Sequence, residues 1–177
     1  MQNYCSNLLF CILIAEYCIA HLNPVMFAHT ITDLYEEYTE QRKLTITFEQ
    51  FTFLVTSYPV LLIVSTDGKV DMKEWSYLKR RSDDLAELLL KDETDPEVVS
   101  DFKNMLLNEF KYLLMNFDTW ERKFMKTLKN YLQEKPDLKN SLLESIYLFA
   151  SVSEGICEKE EVMIEHLKKE LGIEESL

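Results

Sequence analysis

Ser65-Thr66-Asp67-Gly68-Lys69-Val70-Asp71-Met72-Lys73-Glu74 decides how this chain is read, because a second stretch answers it. That stretch is Val152-Ser153-Glu154-Gly155-Ile156-Cys157-Glu158-Lys159-Glu160-Glu161. Both run acid, glycine, two residues, acid, two residues, glutamate, at a constant offset of 87 residues. The chain holds only 3 glycines, and two of them fall at matching places in these stretches. Glycine is the residue that takes a positive φ without strain, so each stretch predicts a tight turn between helices. Apolar runs precede both, Val60 to Val64 and Ile146 to Ala150. Asp71 and Glu74, like Glu158 and Glu161, are spaced as an N-cap acid and an N3 glutamate. Those positions satisfy orphan backbone N–H groups and face the positive end of the helix dipole. Each unit therefore reads as an apolar helix, a glycine corner and a helix with an acidic first turn.

Working outward, 177 residues with 47% hydrophobic side chains suffice for one globular domain with a core. The 19 basic and 31 acidic side chains leave a net charge of −12. Nucleic acid and anionic membrane surfaces need a basic face, so both are set aside as partners. Cations, or a basic protein, suit the charge.

The apolar run Leu8 to Ala15 has no Lys or Arg before it, is interrupted by Glu16, and is shorter than the roughly 20 residues that span a bilayer. It reads as a buried first helix over about Asn3 to His21. A signal segment, or an upstream extension before Met26, also fits residues 1–25. No direct membrane insertion is expected. Cys5, Cys11, Cys18 and Cys157 form no CxxC pair and have no His at ligand spacing. They read as small buried thiols of a reducing, cytoplasmic protein.

Further helices are expected from Pro24 or Val25 to Arg42, from Thr47 with Gln50 as capping-box partner, and from Met72 to Leu90. Three more follow Asp95-Pro96, Asp118 and Pro136, the last running to Val152. A final one spans Glu158 to Leu171, with Gly172 just beyond its end. Pro59 should kink or divide the third helix. Trp75, Leu78, Leu85 and Leu89 form the expected apolar stripe of the fourth. The whole is an all-α, single-domain bundle of about seven to eight helices containing two related helix-turn-helix halves. Residues 1–46 supply N-terminal helices packing on the core, and 47–177 form the main helical domain.

The acidic stretches partly match the EF-hand calcium loop, but Ile63 and Ala150 stand where its first aspartate belongs. The closer likeness is to another family. Thr66 to Glu74 and Ser153 to Glu161 resemble the corner motif of the tellurite-resistance TerB-like family. The resemblance implies an all-helical, non-enzymatic binding or scaffold domain built from two related halves, in a stress-response context. It further implies a cation-binding acidic surface, carried here by Asp67, Asp71 and Glu74 from one half and Glu154, Glu158 and Glu161 from the other. Glu154 and Cys157 depart from the family pattern. Carboxylates suit hard cations, so Ca²⁺ or Mg²⁺ would be the ion. The alternative is a metal-independent protein-interaction module whose carboxylates only cap helices and attract a basic partner. His21, His29 and His166 show no zinc-enzyme spacing, and no phosphate-binding glycine loop or nucleophile constellation can be composed, so no catalytic residue is assigned.

Overall fold

Thr47 starts the most buried helix in the way its sequence dictates. Its hydroxyl accepts the Gln50 N–H at 3.2 Å, and the Gln50 side chain accepts the Thr47 N–H at 2.9 Å. Asp95 does the same for a later helix, accepting the Glu97 N–H at 2.9 Å ahead of Pro96 at the first helical position. The computed structural model describes residues 28–66, 70, 72–151 and 156–173. Its elements are α1 (Ala28–Arg42), α2 (Phe48–Val64), α3 (Met72–Leu89), α4 (Pro96–Met115), α5 (Phe117–Glu134), α6 (Leu138–Ala150) and α7 (Glu158–Leu171). Among the described residues there are no strands. The helix expected at Asn3 to His21, and the start of the one expected at Pro24, lie outside them.

Thirteen of the 17 residues of α2 are buried. A helix apolar all round must be surrounded, and α1, α4, α5, α6 and α7 all pack against it. Pro59 cannot donate to Val55, yet α2 continues unbroken to Val64. Of the expected kink or division, the division does not occur, because packing on every side offsets a local cost of about 3 kcal/mol. By contrast α3 is one-sided and lies outside, mainly on α4. The Lys103–Asp83 ion pair at 3.4 Å bridges the two helices. Leu78 and Leu85 face inward as expected, but Trp75 is 36% exposed and is corrected out of the stripe.

One apolar cluster receives side chains from all seven helices, including Ile31, Leu34 and Tyr38 of α1. Its centre is aromatic. Phe124 on α5 touches Tyr58, Tyr38, Phe51 and Trp120, with ring centroids 4.8, 5.5, 5.9 and 6.0 Å away. Such edge-on and tilted pairs add to simple area burial.

The helix ends show two further departures from the sequence reading. α5 begins at Phe117 with Asn116 as N-cap, so exposed Asp118 sits within the first turn instead of capping it. α6 stops at Ala150, short of Val152. Gly172 does close α7 in the left-handed region, φ 64°. The Ile173 N–H reaches the Lys168 carbonyl at 2.8 Å, and Ile173 itself is buried. A Cβ on Gly172 would meet nothing within 4 Å, so a substitution there is felt by the backbone alone. Gly172→Ala should therefore lower stability by about 1 kcal/mol, and Gly172→Asn by less, as read from urea unfolding midpoints.

Candidate functional site

The two corners are seven-residue connections, 65–71 and 151–157. Their described flanks agree closely. Ser65 ends α2 at φ −83°, ψ −8°, and Ser151 ends α6 at φ −82°, ψ −4°. Each serine hydroxyl donates to the carbonyl three residues back, Leu62 or Leu148, at 2.8 Å. Val70 and Ile156 are 40% and 41% exposed, whereas Glu74 and Glu160 are both 7% exposed. Every one of these pairs is 86 residues apart, not the 87 that separates Gly68 from Gly155. In the flank register the two glycines are one place out of step. Near these ends α3 meets α6, Tyr77 lying edge-on to Phe149 with ring centroids 4.8 Å apart.

This register corrects the second acidic set. Cys157 is extended, φ −81°, ψ 163°, and its carbonyl accepts the Glu161 N–H at 2.9 Å. The helix thus starts one residue earlier than an N-cap at Glu158 requires. Glu158 becomes the first helical residue, and the N3 position falls on Glu160. The Glu160 carboxylate turns back to accept the Cys157 N–H at 2.7 Å. Glu158 and Glu161, the candidates from the motif, are exposed. In the first corner Glu74 does occupy the N3 position of α3, buried, while Asp67 and Asp71 lie outside the described residues, as does Glu154 of the second corner. Among the described residues no three His, Cys, Asp or Glu side chains are grouped so as to hold a metal ion.

A different ionic cluster lies where the sequence reading placed none. Glu109, on the inward face of α4, is 2% exposed. Arg42 holds it with two bonds, Nε to Oε2 at 2.9 Å and Nη2 to Oε1 at 2.8 Å. The Tyr38 hydroxyl donates to the same Oε2 at 2.8 Å. The Arg42 guanidinium lies 3.6 Å from the centre of the Tyr112 ring, and the Trp120 indole N–H donates to the Tyr112 hydroxyl at 3.1 Å. Burial, and then the Glu109 carboxylate, push the Tyr38 phenol far above its ordinary range. The cluster fastens α1 to α4 and α5. One signal was present in the sequence: Glu109 follows Leu106 by three and Phe102 by seven, which sets an acid on the apolar stripe of α4.

An open groove runs between the first turns of α5 and the last turns of α7, lined by Asp118, Glu121, Arg122, Lys123, His166 and Glu170 among others. Its side chains already pair in part, His166 with Glu170 at 3.2 Å.

No family model, curated protein or solved structure matches the chain. No helix among the described residues is long and apolar enough to cross a membrane.

Proposed function

We propose that this chain is a non-enzymatic helical binding module, whose buried corner carboxylates Glu74 and Glu160 start helices rather than ligate a metal and whose acidity selects a basic protein partner. The observation that carries the reading is the bond from the Cys157 N–H to the buried Glu160 carboxylate. A carboxylate held against the positive end of a helix has its charge already balanced. Glu74, equally buried at the same position of α3, fits the same role. The matched flanks support two related helix-turn-helix halves, displaced by 86 residues, which is the architecture the TerB-like resemblance implies. On that resemblance the module belongs to a stress-related context.

Calorimetric titration with Ca²⁺, Mg²⁺ and Zn²⁺ tests the reading. No heat of binding is expected at millimolar metal. Glu160→Ala should cost about 1 kcal/mol of stability, equally with and without Ca²⁺, while Glu160→Gln retains most of it because glutamine can also reach back. Saturable heat that disappears in a Glu158→Gln plus Glu161→Gln double variant would replace this reading with the cation site.

A further inference from the structure

Two helices of this chain separate their charges instead of mixing them. On α3, Asp83 follows Lys79 by four residues and Asp84 follows Arg80 by four, the spacing at which opposite charges support a helix. On α7, Glu165 pairs with Lys168 and His166 with Glu170. The outward faces of α1 and α5 do the opposite. Asp33, Glu36 and Glu40 stand exposed on α1, three and four residues apart, with no cation between them. On α5, Arg122 and Lys126 are exposed and Lys129 is half-buried, spaced by four and three, with no acid between them. Each stripe sets like charges at contact spacing, which costs its helix stability. Among the described residues none of these six side chains has an ion-pair partner.

The two stripes lie side by side on one surface. Lys123, next to Arg122, pairs with Glu37, next to Glu36, and the two side chains stay 42% and 38% exposed. On the buried side of this pair Tyr38 meets Trp120 and Phe124, with ring centroids 4.7 and 5.5 Å away. Each stripe spans seven residue steps, about two turns or 10 Å along its helix.

We propose that the outward faces of α1 and α5 form an interface between two copies of this chain, related by a two-fold axis that passes between the two helices. Such an axis lays the acidic stripe of each copy on the basic stripe of the other, so every pairing occurs twice. At the axis, Glu37 of each copy faces Lys123 of the other. A patch of one sign would call for a foreign partner, but two stripes of opposite sign and equal length complement their own rotated image. The net charge of −12 on each copy opposes approach, yet salt screens that repulsion beyond about 8 Å, while the stripes act in contact. Exposed ion pairs contribute little one by one, so the dimer is weak and salt-sensitive, and the stripes fix its orientation more than its strength. This goes beyond the reading of the chain as a module with a basic partner and does not depend on it.

Sedimentation equilibrium of the full chain tests the interface. The average mass should climb from monomer toward dimer between micromolar and millimolar protein. It should fall back in about 1 M salt, where the screening length is about 3 Å. Arg122→Glu plus Lys126→Glu makes both stripes mainly acidic, and Glu36→Lys plus Glu40→Lys makes both mainly basic. Each double variant alone should associate about tenfold more weakly than the wild type, or less still. An equimolar mixture of the two should recover a dimer holding one of each. All four side chains are exposed, so circular dichroism and the urea midpoint should barely move. A wild type that stays monomeric at millimolar concentration, association indifferent to both variants, or a mixture of folded variants that does not pair overturns the proposal.

Discussion

Phe124→Ala should cost about 3–5 kcal/mol, enough to leave a domain of this size close to unfolding. The ring is fully buried and touches four other aromatic residues drawn from α1, α2 and α5 itself. Removing it takes away the transfer energy of the ring and leaves a cavity whose walls are other rings. Those walls cannot close in, because Tyr38 is tied to Glu109 and Trp120 to Tyr112. Phe124→Leu should cost far less, about 1 kcal/mol, as most of the volume is kept. Urea unfolding followed by circular dichroism measures both. A loss under 1 kcal/mol for the alanine variant would show that the aromatic centre is not the seat of stability.

Glu109→Ala is expected to cost about 3 kcal/mol. It strands the Tyr38 hydroxyl, which is wholly buried, and deprives Arg42 of its counter-charge. Arg42 retains 27% side-chain exposure and can rehydrate in part, which keeps the cost toward the low end for a broken buried pair. Glu109→Gln keeps an acceptor for Tyr38 and should lose about half as much. The same cluster gives a pH signature. The Tyr38 phenol is raised in the folded protein above its ordinary value of 10.0. Its contribution is complete below pH 10 and is lost as the pH climbs past it, because the unfolded chain releases a proton that the folded chain retains. Tyr58, raised by burial and then by Glu121, adds to the same slope. Tyr38→Phe should flatten the alkaline fall in unfolding midpoint.

The helices were legible because their signals are local. Thr47 with Gln50, Asp95 with Pro96, Pro136 before Leu138, and Gly172 after Leu171 each act within a few residues, and each marks a boundary in the structure. Where the reading failed, a distant partner or a one-residue choice decided. Pro59 does not divide α2 because five helices hold it, and no local pattern states that. Trp75 obeys the helical period, but α3 has a neighbour on one side only. Glu109 was passed over because its partners Tyr38 and Arg42 lie 71 and 67 residues away. At the second corner two glutamates, Glu160 and Glu161, stood next to each other, and the glycine alignment chose the wrong one. Backbone geometry at Cys157 chose the other.

The joint between α4 and α5 shows why such a slip is permitted at the corners and forbidden elsewhere. Asn116 alone ends one helix and begins the next. One residue more or less there would turn everything downstream about 100° around its axis, swinging Trp120 and Phe124 from the interior toward water. Seven-residue bends have spare chain to reel in or let out, so a glycine can drift by one place within them while the helices they link keep their faces. Tolerance to inserted and deleted residues is therefore lowest at Asn116 and higher in the longer connections, 43–47, 65–71, 90–95 and 151–157, which can change length while the frame stays locked.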